Sequence, residues 1–128
     1  MAPASARRGR LTRSADFDRV FRRGRSLAGR HLVLHLFPRD AQAGGGGARV
    51  GLSVSRKVGG AVERNRVKRL LREALAGERA RLPADHDVVV VARPSLREHA
   101  EREGLAGVRA ALADLLGRTR SKPGRGAS

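Results

Sequence analysis

Cysteine is missing from all 128 residues, so neither a disulfide nor a thiolate-ligated metal can form. Aromatic side chains are nearly missing too: Phe17, Phe21 and Phe37 are the whole complement, without tyrosine or tryptophan. Lysine is scarce, with Lys57, Lys68 and Lys122 the only ones among 28 cations. GC-rich coding produces that bias towards arginine, so it says little by itself. No apolar run approaches the roughly 20 residues of a membrane-spanning helix. Arg7, Arg8 and Arg10 are followed by none of the apolar stretch that a secretory signal needs. The expectation is a cytoplasmic chain without membrane attachment, and its length suits one domain with a modest core.

What is present is positive charge, and it is clustered. The net charge is +16. Residues 1–30 carry nine cations against two acids, residues 56–72 seven against one, and residues 118–128 four against none. Residues 73–117, by contrast, are slightly acidic. Coding bias exchanges lysine for arginine but does not delete acids, so the uneven distribution points to a polyanionic partner.

Hydrophobic periodicity orders the chain as helix, two strands, helix, strand and helix. Residues 1–10 read as a mobile basic arm and 118–128 as a disordered basic tail rich in Gly, Pro and Ser. Residues 11–117 form the single domain between them. Ser14 is placed to cap a short helix that stops at Gly24, with Phe17, Val20 and Phe21 on one face. In residues 31–37, Leu32, Leu34 and Leu36 alternate with His31, Val33, His35 and Phe37. Residues 38–48, including Gly44–Gly47, read as a hairpin connection to a strand over 48–55. There Val50, Leu52 and Val54 oppose Gly51, Ser53 and Ser55. A long helix is expected from Val62 to Leu82, where Pro83 ends it, and Val88–Val91 reads as a strand buried on both faces. Leu105, Val108, Leu112, Leu115 and Leu116 mark a final amphipathic helix. The fold class is α+β, an α-β sandwich with one sheet.

The long helix carries the most specific signal. Val67, Leu70, Leu71, Ala74 and Leu75 make one apolar stripe at about 100° per residue. Five cations (Arg64, Arg66, Lys68, Arg69 and Arg72) crowd into nine residues beside it. Asn65, Lys68, Arg69 and Arg72 share the adjoining face, Arg64 lies at its edge, and Arg66 projects to the other side of the stripe. A solvated outer face is the ordinary fate of charged helix residues. Here only Glu63 and Glu73 flank the cations, so intrahelical pairs are few and like charges repel. A phosphate partner relieves that repulsion.

Protein-borne catalysis finds no constellation. His31 and His35 share a strand face without a third ligand, while His86 and His99 fall in separate polar connections. Asp16 and Asp18 suit the first turn of a helix, and Ser53 and Ser55 lack a base.

Residues 49–59, RVGLSVSRKVG, followed by residues 61–73, AVERNRVKRLLRE, closely resemble the bacterial ribonuclease P protein subunit. The Arg64-Asn65-Arg66 core is that family's signature. The likeness extends to Asp16, Phe17, Val20, Phe21 and Gly24 upstream and to residues 88–93 downstream, covering roughly residues 10–117. His35 stands where the family more often has tyrosine, and Arg56 where lysine is common. The resemblance implies a mostly antiparallel sheet with a left-handed β-α-β crossover. It also implies an RNA-binding, monomeric subunit of an endoribonuclease that removes the 5′ leader from precursor tRNA. The resemblance further implies that the catalytic groups lie in the RNA subunit, which mainly holds the Mg²⁺ ions, with none bound by the protein alone. Lys57, Arg64, Asn65, Arg66, Lys68, Arg69 and Arg72 are the expected RNA contacts.

The residues supply a matching leader cleft. Phe17 and Phe21 can face His35 on one strand and Ser53 and Ser55 on the next, where unpaired bases stack and hydroxyls reach phosphate. Ordinary core packing explains the two phenylalanines about equally well. Two rivals stand beside this reading: a ribosomal or RNA-chaperone module, and a self-sufficient nuclease.

Overall fold

The structure, a computed structural model, describes residues 10–11, 14–39 and 47–127, with side chains as far as Thr119. The arm at residues 1–9 and the glycines at 44–46 lie outside the described residues. Helix α1 spans Ser14–Arg23, and strands β1, β2 and β3 span Arg25–Ala28, Leu32–Pro38 and Arg49–Ser53. Helix α2 spans Ala61–Gly77 and leads through a 3-10 turn at Arg79–Arg81 to β4, His86–Ala92. Helix α3, Ser95–Ala127, closes the chain.

One sheet runs in the order β1-β2-β4-β3. Strands β1–β2 and β2–β4 pair antiparallel, and β3–β4 pair parallel across the α2 crossover. The α+β sandwich with a mostly antiparallel sheet is therefore present. Strand β4 is central because its apolar run suits both faces: Val88, Val89 and Val90 are all fully buried.

The alternation in β2 divides the molecule. Leu32, Leu34 and Leu36 are fully buried under the larger core, with Val67, Leu71, Ala74, Leu112 and Leu116 from α2 and α3. The opposite face carries a smaller cluster of Leu11, Val20 and Val89, against which Phe17, Phe37 and Val91 pack. Helix α1 thus lies alone on one side of the sheet, leaving a strip of that face uncovered beside it.

Several boundaries differ from those expected. The segment after Pro38 is not a hairpin connection, because β4 lies between β2 and β3. Four-residue β1 escaped notice because only Leu27 of it is buried. Strand β3 stops at Ser53, and Ser55 lies in a turn where Val58 N–H donates to its carbonyl at 3.0 Å. Helix α2 ends at Gly77, not Leu82. Glu78 there is held by Arg109 Nη2 at 2.9 Å and Arg81 Nη1 at 3.2 Å, and those hydrogen bonds keep its carboxyl below the usual range.

The last helix starts ten residues before Leu105, and Gly104, at φ 65° and ψ −154°, breaks it. That conformation is open essentially to glycine alone. Leu96 and Ala100 anchor the first segment, while Leu105, placed just after the break, is exposed rather than part of the stripe. His99 stands on this first segment, not in a connection. Its ring stacks on His31 at 4.1 Å, and His31 Nδ1 lies 2.8 Å from Ser95 Oγ.

Both tail boundaries also shift. The final helix continues to Ala127, where composition had suggested a structureless tail from residue 118. Arg118 donates to the Ala28 carbonyl at 3.1 Å and to Asp114 at 3.0 Å, and buried Thr119 donates to the Leu116 carbonyl at 2.6 Å. At the other end, Arg10 bridges Val50 and Leu11 N–H donates to the Val50 carbonyl at 2.8 Å.

Candidate nucleic-acid interface

Helix α1 sits on the sheet because Gly51 leaves room for it. A Cβ at position 51 would overlap the Phe17 ring, so the phenyl group occupies the space a side chain would take. Phe21, one turn on, lies 6.4 Å from Phe17 and meets His35 edge-on at 4.8 Å with an interplanar angle of 85°. Phe21 is 41% exposed, a large apolar area for a ring already in contact with the sheet. The i, i+4 spacing thus gives the two rings different tasks: Phe17 seats the helix, and Phe21 with His35 presents open ring surface.

Ser53 is half-buried at the end of the same face. Ser55 is exposed beyond it, its Oγ accepting the Lys57 N–H at 3.2 Å. That bond leaves the Ser55 proton free to donate and holds exposed Lys57 at the tip of the turn. Phe17, Phe21, His35 and Ser53 are therefore gathered on one surface, with Ser55 and Lys57 at its margin.

On α2, Val67, Leu71, Ala74 and Leu75 are buried, and Asn65, Arg66, Arg69 and Arg72 are exposed. Lys68 and Arg64 are half-buried, and Arg64 Nε is enclosed without a hydrogen-bond partner. No side chain caps the α2 N-terminus at Gly60. The positive end of the helix dipole thus adds to the charge of its first turns rather than offsetting it. Among the described residues, the five α2 cations form no ion pair with protein.

Lys68 and Arg72 turn towards the α1 side, where they line a groove of about 460 Å³ together with Phe17 and Gly51. This groove joins the aromatic surface to the cationic helix. Arg66 projects away from it. Arg10 and Arg79 line it too, and the sequence reading missed both. Arg79 was hidden by the expectation that α2 continued to Leu82, and Arg10 by its assignment to a mobile arm. Among the described residues, no group of three or more His, Cys, Asp or Glu side chains is arranged to hold a metal ion.

The Asn65 side chain hydrogen-bonds to no protein group among the described residues, so its exposed amide is not occupied in orienting an arginine. Asn65→Ala keeps every cation and raises helix propensity by several tenths of a kcal/mol. It should nevertheless weaken RNA binding by about 1 kcal/mol, the worth of a well-used hydrogen bond. Circular dichroism and RNA affinity measured on Asn65→Ala and Arg69→Ala check this. Wild-type affinity in the first with a defect in the second would reduce the surface to charge alone.

The chain is thus a small α+β sandwich that sets an exposed aromatic strip beside an uncapped, five-cation helix. Residues 6–118 match the family model for ribonuclease P. A ribonuclease P protein component from Acidothermus cellulolyticus is 43% identical over 122 residues, covering 94% of this chain and 97% of that one. The structure of the RNase P protein from Thermotoga maritima superposes with a TM-score of 0.76 at 35% identity, covering 87% of this chain and 97% of the other. A mutant RNase P protein from Staphylococcus aureus superposes at 0.79 with 26% identity, covering 93% and 94%. The chain belongs to the ribonuclease P protein family.

Proposed function

We propose that the chain is the protein subunit of a ribonucleoprotein ribonuclease P, gripping the 5′ leader of precursor tRNA and contacting the catalytic RNA. Family membership brings the first part. The second rests chiefly on one observation: the groove in which Phe17 meets Lys68 and Arg72, joining open ring surface to unpaired cations. Stacking holds bases without regard to sequence, and the cations hold the backbone. Hydrolysis and Mg²⁺ ions are assigned to the RNA. The protein holds the leader beside the scissile bond, and the exposed motif cations and Asn65 face the RNA subunit. The setting is the cytoplasm.

Precursor cleavage with and without the RNA subunit tests this against both rivals. No cleavage by the protein alone, cleavage that requires the RNA subunit and is enhanced by the protein at limiting Mg²⁺, and tighter binding of leader-bearing substrate are the expected results. Cleavage by protein alone would identify a nuclease, and leader-independent binding would identify a general RNA module. Leader affinity should also fall with salt at about −0.7 per neutralised phosphate, so about four contacts give a log–log slope near −3. A flat salt dependence counts against the cationic groove.

His35 adds a pH dependence that tyrosine would not. Burial lowers its pKa from 6.5, so the folded ring is neutral at pH 7. Leader phosphates favour the imidazolium, so binding takes up a proton and affinity rises as pH falls below the ordinary imidazole range. Fold stability runs the other way, because the unfolded ring protonates first as pH falls through 6.5. Leader affinity measured from about pH 7 to about 5.5 should rise more steeply for wild type than for His35→Tyr. Parallel curves would remove His35 from the cleft.

A further inference from the structure

We propose that the groove between the N-terminal segment and α2 is a pocket for one unpaired nucleobase of the leader, with Arg79 and Arg10 holding the phosphates around it. This rests on the leader-binding reading and extends it to two residues which that reading does not use.

The groove has two kinds of wall. Gly51, Leu52, Leu75 and Ala76 make an apolar floor with Phe17 at one side. The rim holds Arg10, Lys68, Arg72 and Arg79. Among the described residues none of these four cations forms an ion pair or a side-chain hydrogen bond. Elsewhere the protein does pair its arginines: Arg49 is bound to Asp87, and Arg81 and Arg109 to Glu78. The contrast is sharpest within the 3-10 turn. Arg81 turns onto Glu78, while Arg79, two residues earlier, lines the groove unpaired.

An apolar slot about 460 Å³ in size, rimmed by unpaired cations, suits a ligand with a flat apolar face and an anionic edge. A nucleotide in a single strand has both. Continuity favours the leader itself as the source. Phe17 borders the groove on one side and stands 6.4 Å from Phe21 on the other, so a strand crossing Phe21 and His35 reaches the slot next. Arg79 and Arg10 then serve leader nucleotides farther along the strand than those at Phe21.

The test uses holoenzyme reconstituted with the RNA subunit and precursors whose leader is lengthened one nucleotide at a time. Arg79→Ala and Arg10→Ala, both at exposed side chains, should bind short-leader substrates as wild type does and lose the gain from longer leaders. The loss should be roughly threefold for each and about tenfold for the pair, with the salt slope shallower by about 0.7 per lost contact. An abasic nucleotide moved along the leader should weaken wild-type binding at one position. Ala76→Leu, which fills the slot without changing charge, should erase that sensitivity. Equal losses at every leader length would overturn the proposal, since the arginines would then serve the tRNA body or the RNA subunit. An undiminished gain with length would overturn it too. Wild type showing no gain from any leader would sink the leader-binding reading, and the pocket with it.

Discussion

Asp87→Ala should cost about 3–5 kcal/mol of folding stability, a fall in Tm on the order of 10–20 °C. Asp87 is fully buried and accepts from Arg49 through both oxygens, Nε to Oδ1 and Nη2 to Oδ2, each at 2.9 Å. Arg39 Nη1 adds a third contact at 3.3 Å and also donates to the His86 carbonyl, while its Nη2 reaches the Gly47 carbonyl. The carboxylate thereby ties β4 to β3 and to the chain leaving β2. Removing it takes a buried carboxylate from two arginines at once, Arg49 and Arg39, the latter with a side chain only 5% exposed. That loss of a partner, rather than any net gain from the pair, sets the magnitude. Asp87→Asn keeps the shape and one acceptor, so its loss should be intermediate. Chemical denaturation of the three proteins checks the order. A change below about 1 kcal/mol in Asp87→Ala would mean that the two arginines do not depend on this carboxylate.

Gly51→Val should lower leader affinity at least tenfold, the worth of one lost stacking platform. Valine suits a strand, so the backbone does not oppose it. The obstacle is Phe17: a Cβ would overlap its Cζ and lie 2.9 Å from Cε2 and 3.0 Å from Leu11 Cβ. Phe17 cannot retreat while α1 keeps its seat, so the helix lifts and takes Phe21 off His35. Adding Phe17→Ala to Gly51→Val relieves the overlap. The double variant should recover thermal stability without fully recovering affinity, because the groove beside Lys68 and Arg72 has lost its Phe17 wall. Wild-type leader binding by Gly51→Val would show that the α1 seat does not shape the cleft.

How much of this was legible depended on whether neighbours in sequence decided it. The alternation from His31 to Phe37 and the Phe17/Phe21 spacing were readable because a pleat or a helix turn is a local rule. The α2 cations were readable for the same reason, being neighbours on one helix. Asp87 was not, since its value lies in Arg39 and Arg49, which chain folding alone brings to it. The early part of α3 was missed because Leu96 and Ala100 are its only buried apolar residues before Gly104. Leu105 misled for a related reason: it has the right spacing to Val108 and Leu112, yet follows Gly104, whose positive φ turns the chain. The groove required α2 to end early and the N-terminal segment to pair with β3, two facts set by tertiary contacts.

The pairing of Arg10 and Leu11 with β3 has a bearing on how copies of this protein treat one another. A sheet edge is a template: its free amides and carbonyls accept any extended strand, including one from a second molecule. At the β1 edge that risk is met by brevity and by exposed Arg25 and Ser26. At the β3 edge it is met by the two residues themselves, with Leu11 buried over the strand it shields. Arg10, which reads as the last residue of a basic arm, and Leu11, the first of the domain, are thus a guard on the sheet. Without that guard, the β3 edge would lie open to an extended strand from a neighbouring copy.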